Sequence, residues 1–175
     1  MRSVRYSVAM SLDGYIAGPN GEIDWLPHDV GLDWVAFMDR FDTMLVGRHT
    51  FQLTLSMADA AGHGQLRTYV FSRTLKQDEH PAVTIVSDDA AAVVRALREE
   101  TGREIWLMGG GLLFGSLLQA GLVDNIEVAI VPVLLGRGIP FLPPIPAMTR
   151  LELTDMKQYD GGLLMLSYDV AREQA

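Results

Sequence analysis

Three short stretches at the ends of strand-like runs carry glycine, arginine or hydroxyl residues suited to a ligand: "VGRHT" at residues 46–50, "FSR" at 71–73 and "MGGG" at 108–111. Glycines let a backbone come close to a ligand and present successive N–H groups to it. Gly109, Gly110 and Gly111 stand where a strand turns into a helix, and a helix N-terminus adds a field that favours anions. A pyrophosphate fits such a turn, and so does plain tight packing of strand on helix. The glycines do not have the spaced Rossmann or Walker pattern and no lysine follows them, so the motif leaves both readings open. Arg48 with Thr50, and Arg73 with Ser72, offer the charge-assisted hydrogen bonds that a phosphate monoester takes.

A fourth stretch, "SLDGYIAGPNGEIDWLPHD" at residues 11–29, supplies carboxylates at Asp13, Glu22, Asp24 and Asp29. Asp13 beside Gly14 suits a turn that accepts backbone hydrogen bonds, or a contact to a ligand. Asp29 suits a helix N-cap, or the wall of a pocket, and a cap facing the pocket serves both. Trp25 lines a pocket or fills core. Arg137, between glycines in "LLGRGIPFLPP", is a loop arginine or a contact for a substrate phosphate. His28, His49, His63 and His80 have no metal-ligand spacing, so no metal is expected. Without cysteine there is no thiolate chemistry, and Ser11 has no evident base partner for a nucleophile.

The elements that must position these residues follow from periodicity. Strand-like runs cover residues 4–10, 43–47, 68–72, 83–87, 104–108 and 125–135. Helical spacing covers residues 29–41, begins again at Arg48, and is clearest at 88–102, capped by Ser87 or Asp88. A further helix starts from the triple glycine and ends at Gly121. Residues 60–66 read as loop. Two last strands meet around Asp160-Gly161-Gly162 as a hairpin. Strands alternating with helices imply a parallel sheet with helices on both faces and an antiparallel edge, and ligands of such sheets bind beyond the strands' carboxyl ends.

The 175 residues are expected to form one domain over 1–175. At 49% apolar and 21% charged, the chain has the composition to bury a core. A net charge of −8 argues against a nucleic-acid partner. No signal-peptide core and no bilayer-length apolar run is present, so a cytoplasmic protein with no membrane partner is expected.

"VGRHTF", "VFSR" and "MGGGLLF", in that order and at these separations, resemble the dihydrofolate reductase fold. "SVAMSLDGYIAGPNGEIDWL" and "VDNIEVAIVPVLLGRGIPFL" resemble in particular the reductase domain of bacterial riboflavin biosynthesis and its stand-alone relatives, over about residues 4–170. The resemblance implies a three-layer α/β fold whose mostly parallel sheet has about eight strands and a C-terminal antiparallel hairpin. It implies NADPH as cofactor, a small-molecule substrate and a homodimer. Gly47, Arg48 and Thr50 would hold the phosphate region, and Ser72 and Arg73 the adenosine 2′-phosphate. Gly109, Gly110 and Gly111 would approach the pyrophosphate, with Phe71 and Leu112 in the same set. Ala9, Ile16 and Ala17 would lie against the nicotinamide. The reaction implied is hydride transfer to a C=N or C=O bond, with Asp13 or Asp29 as the acid, and Trp25 and Arg137 on the substrate. Dihydrofolate or pterin reduction is the alternative chemistry, disfavoured because "WLPHD" is one residue short between Trp25 and Leu26. A non-catalytic nucleotide-binding or dimerisation module is the alternative class.

Overall fold

The computed structural model describes residues 1–56 and 66–171, so the loop expected over residues 60–66, apart from Leu66, and His63 with it, lie outside the described residues. In chain order the elements are β1 (Val4–Ser11), β2 (Tyr15–Ala17), α1 (Trp34–Met38), β3 (Phe41–Gly47), α2 (Arg48–Ser56), β4 (Arg67–Phe71) and β5 (Thr84–Val86). Then come α3 (Ala90–Glu99), β6 (Glu104–Gly109), α4 (Gly111–Gln119), β7 (Asn125–Val131), β8 (Ile139–Pro140), β9 (Leu151–Gln158) and β10 (Leu164–Val170). Eight strands form one sheet in the order β5-β4-β3-β6-β1-β7-β10-β9, and β2 pairs with β8 separately. From β5 to β7 all neighbours are parallel, and β10 is antiparallel to both β7 and β9. The expected mostly parallel sheet with an antiparallel C-terminal hairpin is therefore what forms.

Alternation along the strands sends side chains to two cores. Val4 and Tyr6 of β1, Ile105 and Leu107 of β6, and Ile126 of β7 pack against Val94 and Leu97 of α3 and Phe114 and Leu117 of α4. On the other face Phe37 of α1 meets Phe41, Met44 and Trp106, and Phe51 of α2 meets Val46 and Val70. Helices thus cover both faces. Fully buried Tyr6 stacks on Phe114 with ring centroids 3.9 Å apart and touches Phe141 at 5.3 Å. That aromatic group ties β1, α4 and the loop before β9 into one body. Burial pushes the Tyr6 phenol up in pKa.

Several elements differ from the sequence-based reading. The helix expected over 29–41 is only Trp34–Met38, and its N-cap is Asp33, which accepts from the Ala36 N–H at 2.9 Å. Gly31 takes a positive φ of 71°, which no continuing helix tolerates, and Asp29 accepts the Gly31 N–H at 3.1 Å in a local turn. Asp29 is therefore not a helix cap. Asp89, not Ser87 or Asp88, caps α3 by accepting from Ala92 N–H; the Ser87 hydroxyl is turned to Asp88. The strand expected over 125–135 stops at Val131, because Pro132 has no N–H for the ladder.

Candidate functional site

Parallel register places the carboxyl ends of β4, β3 and β6 side by side, with Gly47 opposite Phe71 and Val46 opposite Gly109. The three strand-end motifs therefore converge, although 24 and 38 residues separate Gly47 from Phe71 and Phe71 from Gly109. A Cβ added to Gly47 would lie 3.5 Å from both the Gly109 oxygen and the Gly110 nitrogen. One added to Gly110 would lie 3.3 Å from Thr50 Oγ1. Gly109 has a φ of 132°, open only to glycine, and the Gly109–Gly110 peptide is cis. The N-cap of α4 is Gly110, which has no side chain to take the first N–H groups of the helix. This is a backbone cradle at the start of a nine-residue helix, and it fits a dinucleotide's phosphates.

The two readings of the triple glycine divide by position. Gly111 is buried, and a Cβ there would lie 2.9 Å from the Pro140 oxygen and 3.0 Å from that of Phe141. Its missing side chain admits the loop, whereas Gly109 and Gly110 form the cradle. Leu112 is 78% exposed on the outer side of the first helical turn.

Arg48 and Arg73 flank one turn. Arg48 Nη1 donates to Thr74 Oγ1 at 3.1 Å, and its Nη2 lies 2.8 Å from His49 Nε2. Ser72 is buried, and its hydroxyl accepts the N–H groups of Thr74 (3.2 Å) and Leu75 (3.0 Å). It therefore shapes the turn that presents Arg73 to solvent. Thr74 is a member of this group that the sequence reading missed. The Arg48–Thr74 contact depends on β3 lying beside β4, and no local spacing signals it.

In the opening stretch, Ala9 of β1 pairs with Ala129 of β7, a floor of two small side chains. Ile16 is half-buried, and Ala17 is buried with its backbone paired to Ile139. Asp13 accepts the Leu135 N–H at 3.1 Å on Oδ1 and the Gly136 N–H at 2.6 Å on Oδ2. The Ser11 hydroxyl donates to its Oδ1 at 2.7 Å. The Ser11 bond, followed by the backbone N–H donors, holds the Asp13 carboxyl below the usual carboxylate range. A carboxylate so held is a poor proton donor at neutral pH.

Asp29, exposed, stays in its own loop turn, and a Cβ on neighbouring Gly31 would approach Asp160 Oδ2 at 3.7 Å. The indole of half-buried Trp25 donates to the Glu22 carbonyl at 3.2 Å. Arg137 is exposed, in the segment that pairs with β2. The Asn20 side chain, and to a lesser degree the Arg137 charge, holds the Glu22 carboxyl low. Among the described residues no group of His, Cys, Asp and Glu could hold a metal ion. Two shallow clefts lie at the opposite end of the sheet, around Met1 and Arg98. Along them Arg98 donates to Asp124 at 2.8 Å and the Asn125 amide donates to Asp169 at 2.5 Å. No helix among the described residues is long and apolar enough to cross a membrane.

Residues 2–165 match the family described as the RibD C-terminal domain. The protein YyaP of Bacillus subtilis is 30% identical over 178 residues, 95% of this chain and 94% of its own length. The riboflavin biosynthesis protein RibD of Mycobacterium tuberculosis is 31% identical over 147 residues, 76% of this chain and 43% of that protein. A solved diaminohydroxyphosphoribosylaminopyrimidine deaminase/5-amino-6-(5-phosphoribosylamino)uracil reductase from Thermotoga maritima superposes with a TM-score of 0.71. The superposition covers 97% of this chain and 57% of that one at 18% identity, a likeness of fold.

Proposed function

The chain belongs to the RibD C-terminal domain family, and from that premise we propose that it is an NADPH-dependent reductase of a small heterocyclic metabolite. The observation that carries this reading is the convergence of Gly47, Thr50, Gly109 and Gly110 on one cradle, with Arg48, Thr74 and Arg73 beside it. In this reading Gly47, Arg48, Thr50, Gly109 and Gly110 hold the dinucleotide's phosphates. Arg73 takes the adenosine 2′-phosphate on the turn that Ser72 shapes, with Phe71 beneath and Leu112 at the outer edge. Ala9, Ile16 and Ala17 form the nicotinamide wall.

The bound nicotinamide supplies a hydride. The chain's own residues bind, orient and exclude water. The Ala9–Ala129 floor lets a flat ring approach the sheet, because larger side chains would fill that space. Asp29 is the acid that meets the substrate in this reading, since its turn with Gly31 engages only Oδ1, whereas both oxygens of Asp13 are engaged by the neighbouring loop. The proton arrives from Asp29 or from a water it orients. Trp25 lines the substrate side, and Arg137 meets a phosphate on the substrate. The relatives named for riboflavin biosynthesis support a pyrimidine-like ribosylamino substrate reduced at a C=N or C=O bond.

The active form is a cytoplasmic homodimer in this reading. Leu153 and Met156 of β9 are exposed and pair with Tyr168 and Leu166 of β10, which gives the C-terminal hairpin an apolar face suited to a second copy. The test is NADPH oxidation with a panel of ribosylaminopyrimidines and dihydropterins. Turnover of a ribosylaminopyrimidine supports the reading. Turnover of dihydropterin alone replaces the substrate class, and NADPH binding without any turnover leaves a nucleotide-binding module.

A further inference from the structure

We propose that Asp13 is a positioning residue: with Ser11 it latches the 133–141 segment behind the β1–β2 wall and so fixes that wall for the reaction. Its consequence for catalysis rests on the reductase reading; the latch itself does not.

The latch spans a long sequence distance, from residue 13 to residues 135 and 136. Around it the two segments are joined by backbone alone. The Leu12 N–H donates to the Val133 carbonyl at 2.9 Å, and the Phe141 N–H donates to the Gly14 carbonyl at 2.9 Å. β2 pairs with β8, and a Cβ on Gly138 would overlap the Ala17 carbonyl oxygen, so the chains are in close contact there. Asp13 supplies the one charged side chain among these described contacts. It uses both oxygens on N–H donors of a loop that β7 cannot continue into, because Pro132 ends that strand. Hydrogen bonds from N–H groups to a carboxylate are the strong kind.

Ser11 completes the device. It is fully buried at the end of β1, donates to Asp13 Oδ1, and accepts the Tyr15 N–H at 3.0 Å. The hydroxyl therefore aims the carboxylate and starts β2 at the same point. The 133–141 segment also seats its far end on α4, at Gly111. One loop thus touches the wall through Asp13 and the cradle helix through Pro140 and Phe141. Loosening the latch shifts the wall relative to the cradle, and small misplacements of a reacting pair carry large rate penalties.

The test is amide hydrogen exchange on the unliganded wild type, Asp13→Ala, Asp13→Asn and Ser11→Ala, paired with kcat/KM against pH for each. In Asp13→Ala, exchange at Leu135 and Gly136 is expected to rise about tenfold or more, with no change in α3 or β5. Ser11→Ala gives a smaller rise at the same sites. In Asp13→Asn kcat/KM falls about 10- to 100-fold while the pH profile keeps its shape. Asp13→Glu recovers part of both losses. Unchanged exchange at Leu135 and Gly136 in Asp13→Ala overturns the latch, as does an Asp13→Asn variant that loses a limb of the pH profile with its loop exchange intact. A wild type that binds no NADPH removes the reductase reading, and the exchange result still decides the latch.

Discussion

Two glycine-to-alanine substitutions at the cradle should behave oppositely. At Gly111 the new Cβ would stand 2.9 Å from the Pro140 oxygen, 3.0 Å from the Phe141 oxygen and 3.4 Å from Pro143 Cδ. The two closest atoms are backbone and cannot swing away, so the loop or α4 must move. Overpacking of this kind costs about 2–3 kcal/mol. Alanine returns about 1 kcal/mol of helix propensity, which leaves a net loss of about 1–2 kcal/mol. For a chain of this size that lowers Tm by roughly 2–8 °C.

At Gly47 the closest atoms are 3.5 Å from the new Cβ, an ordinary van der Waals distance. Gly47→Ala should therefore change Tm by no more than about 2 °C, within the usual range for uncrowded sites. The new methyl still occupies the opening between the end of β3 and the Gly109–Gly110 turn, so NADPH should bind about tenfold more weakly or worse. Differential scanning calorimetry and NADPH titration of both variants read these outcomes. If Gly47→Ala binds NADPH as the wild type does, the cradle is misassigned. If Gly111→Ala keeps its Tm, the loop does not constrain α4 as described.

Other outcomes follow from the same geometry. Arg73→Ala should weaken NADPH about tenfold or more and leave NADH nearly unchanged; equal weakening in competition titrations would remove the 2′-phosphate assignment. Burial opposes the ionisation of Asp42, but the Arg103 N–H, the Thr43 hydroxyl and the charges of Arg2 and Arg67 outweigh it and lower its pKa. A folded-state pKa below the unfolded value stabilises the fold above about pH 4, and that stabilisation is lost as pH falls further. Asp42→Asn should accordingly cost about 1–3 kcal/mol in urea unfolding at neutral pH and progressively less as the pH drops below 4; a constant difference across pH contradicts this. If the chain is the proposed homodimer, Leu153→Lys combined with Met156→Lys should halve the mass seen by light scattering; an unchanged mass would remove the C-terminal hairpin as its contact.

The sheet was legible because its strands carry short apolar runs that alternate with amphipathic segments, as with Val94 and Leu97 on α3. The strand-end motifs were legible because glycine and arginine are unusual there. What the sequence hid was of another kind. The start of α1 is hidden because nothing local marks it: the positive φ of Gly31, which keeps residues 29–31 out of the helix, appears only in the folded loop. β2 and β8 are too short to carry a period. That Asp13 takes the N–H groups of Leu135 and Gly136 is not legible in the sequence, because backbone donors carry no side-chain signature. The split within the triple glycine was hidden for the same reason, since it is the backbone of residues 140 and 141 that claims Gly111.

Isothermal titration of the wild-type protein with NADPH and with NADH asks whether the carboxyl ends of β3, β4 and β6 bind the dinucleotide. Saturable binding of one NADPH per chain is expected, with NADH about tenfold weaker or worse because it lacks the 2′-phosphate that Arg73 would meet. No heat of binding for either dinucleotide at millimolar concentration, or equal affinity for both, would contradict that assignment.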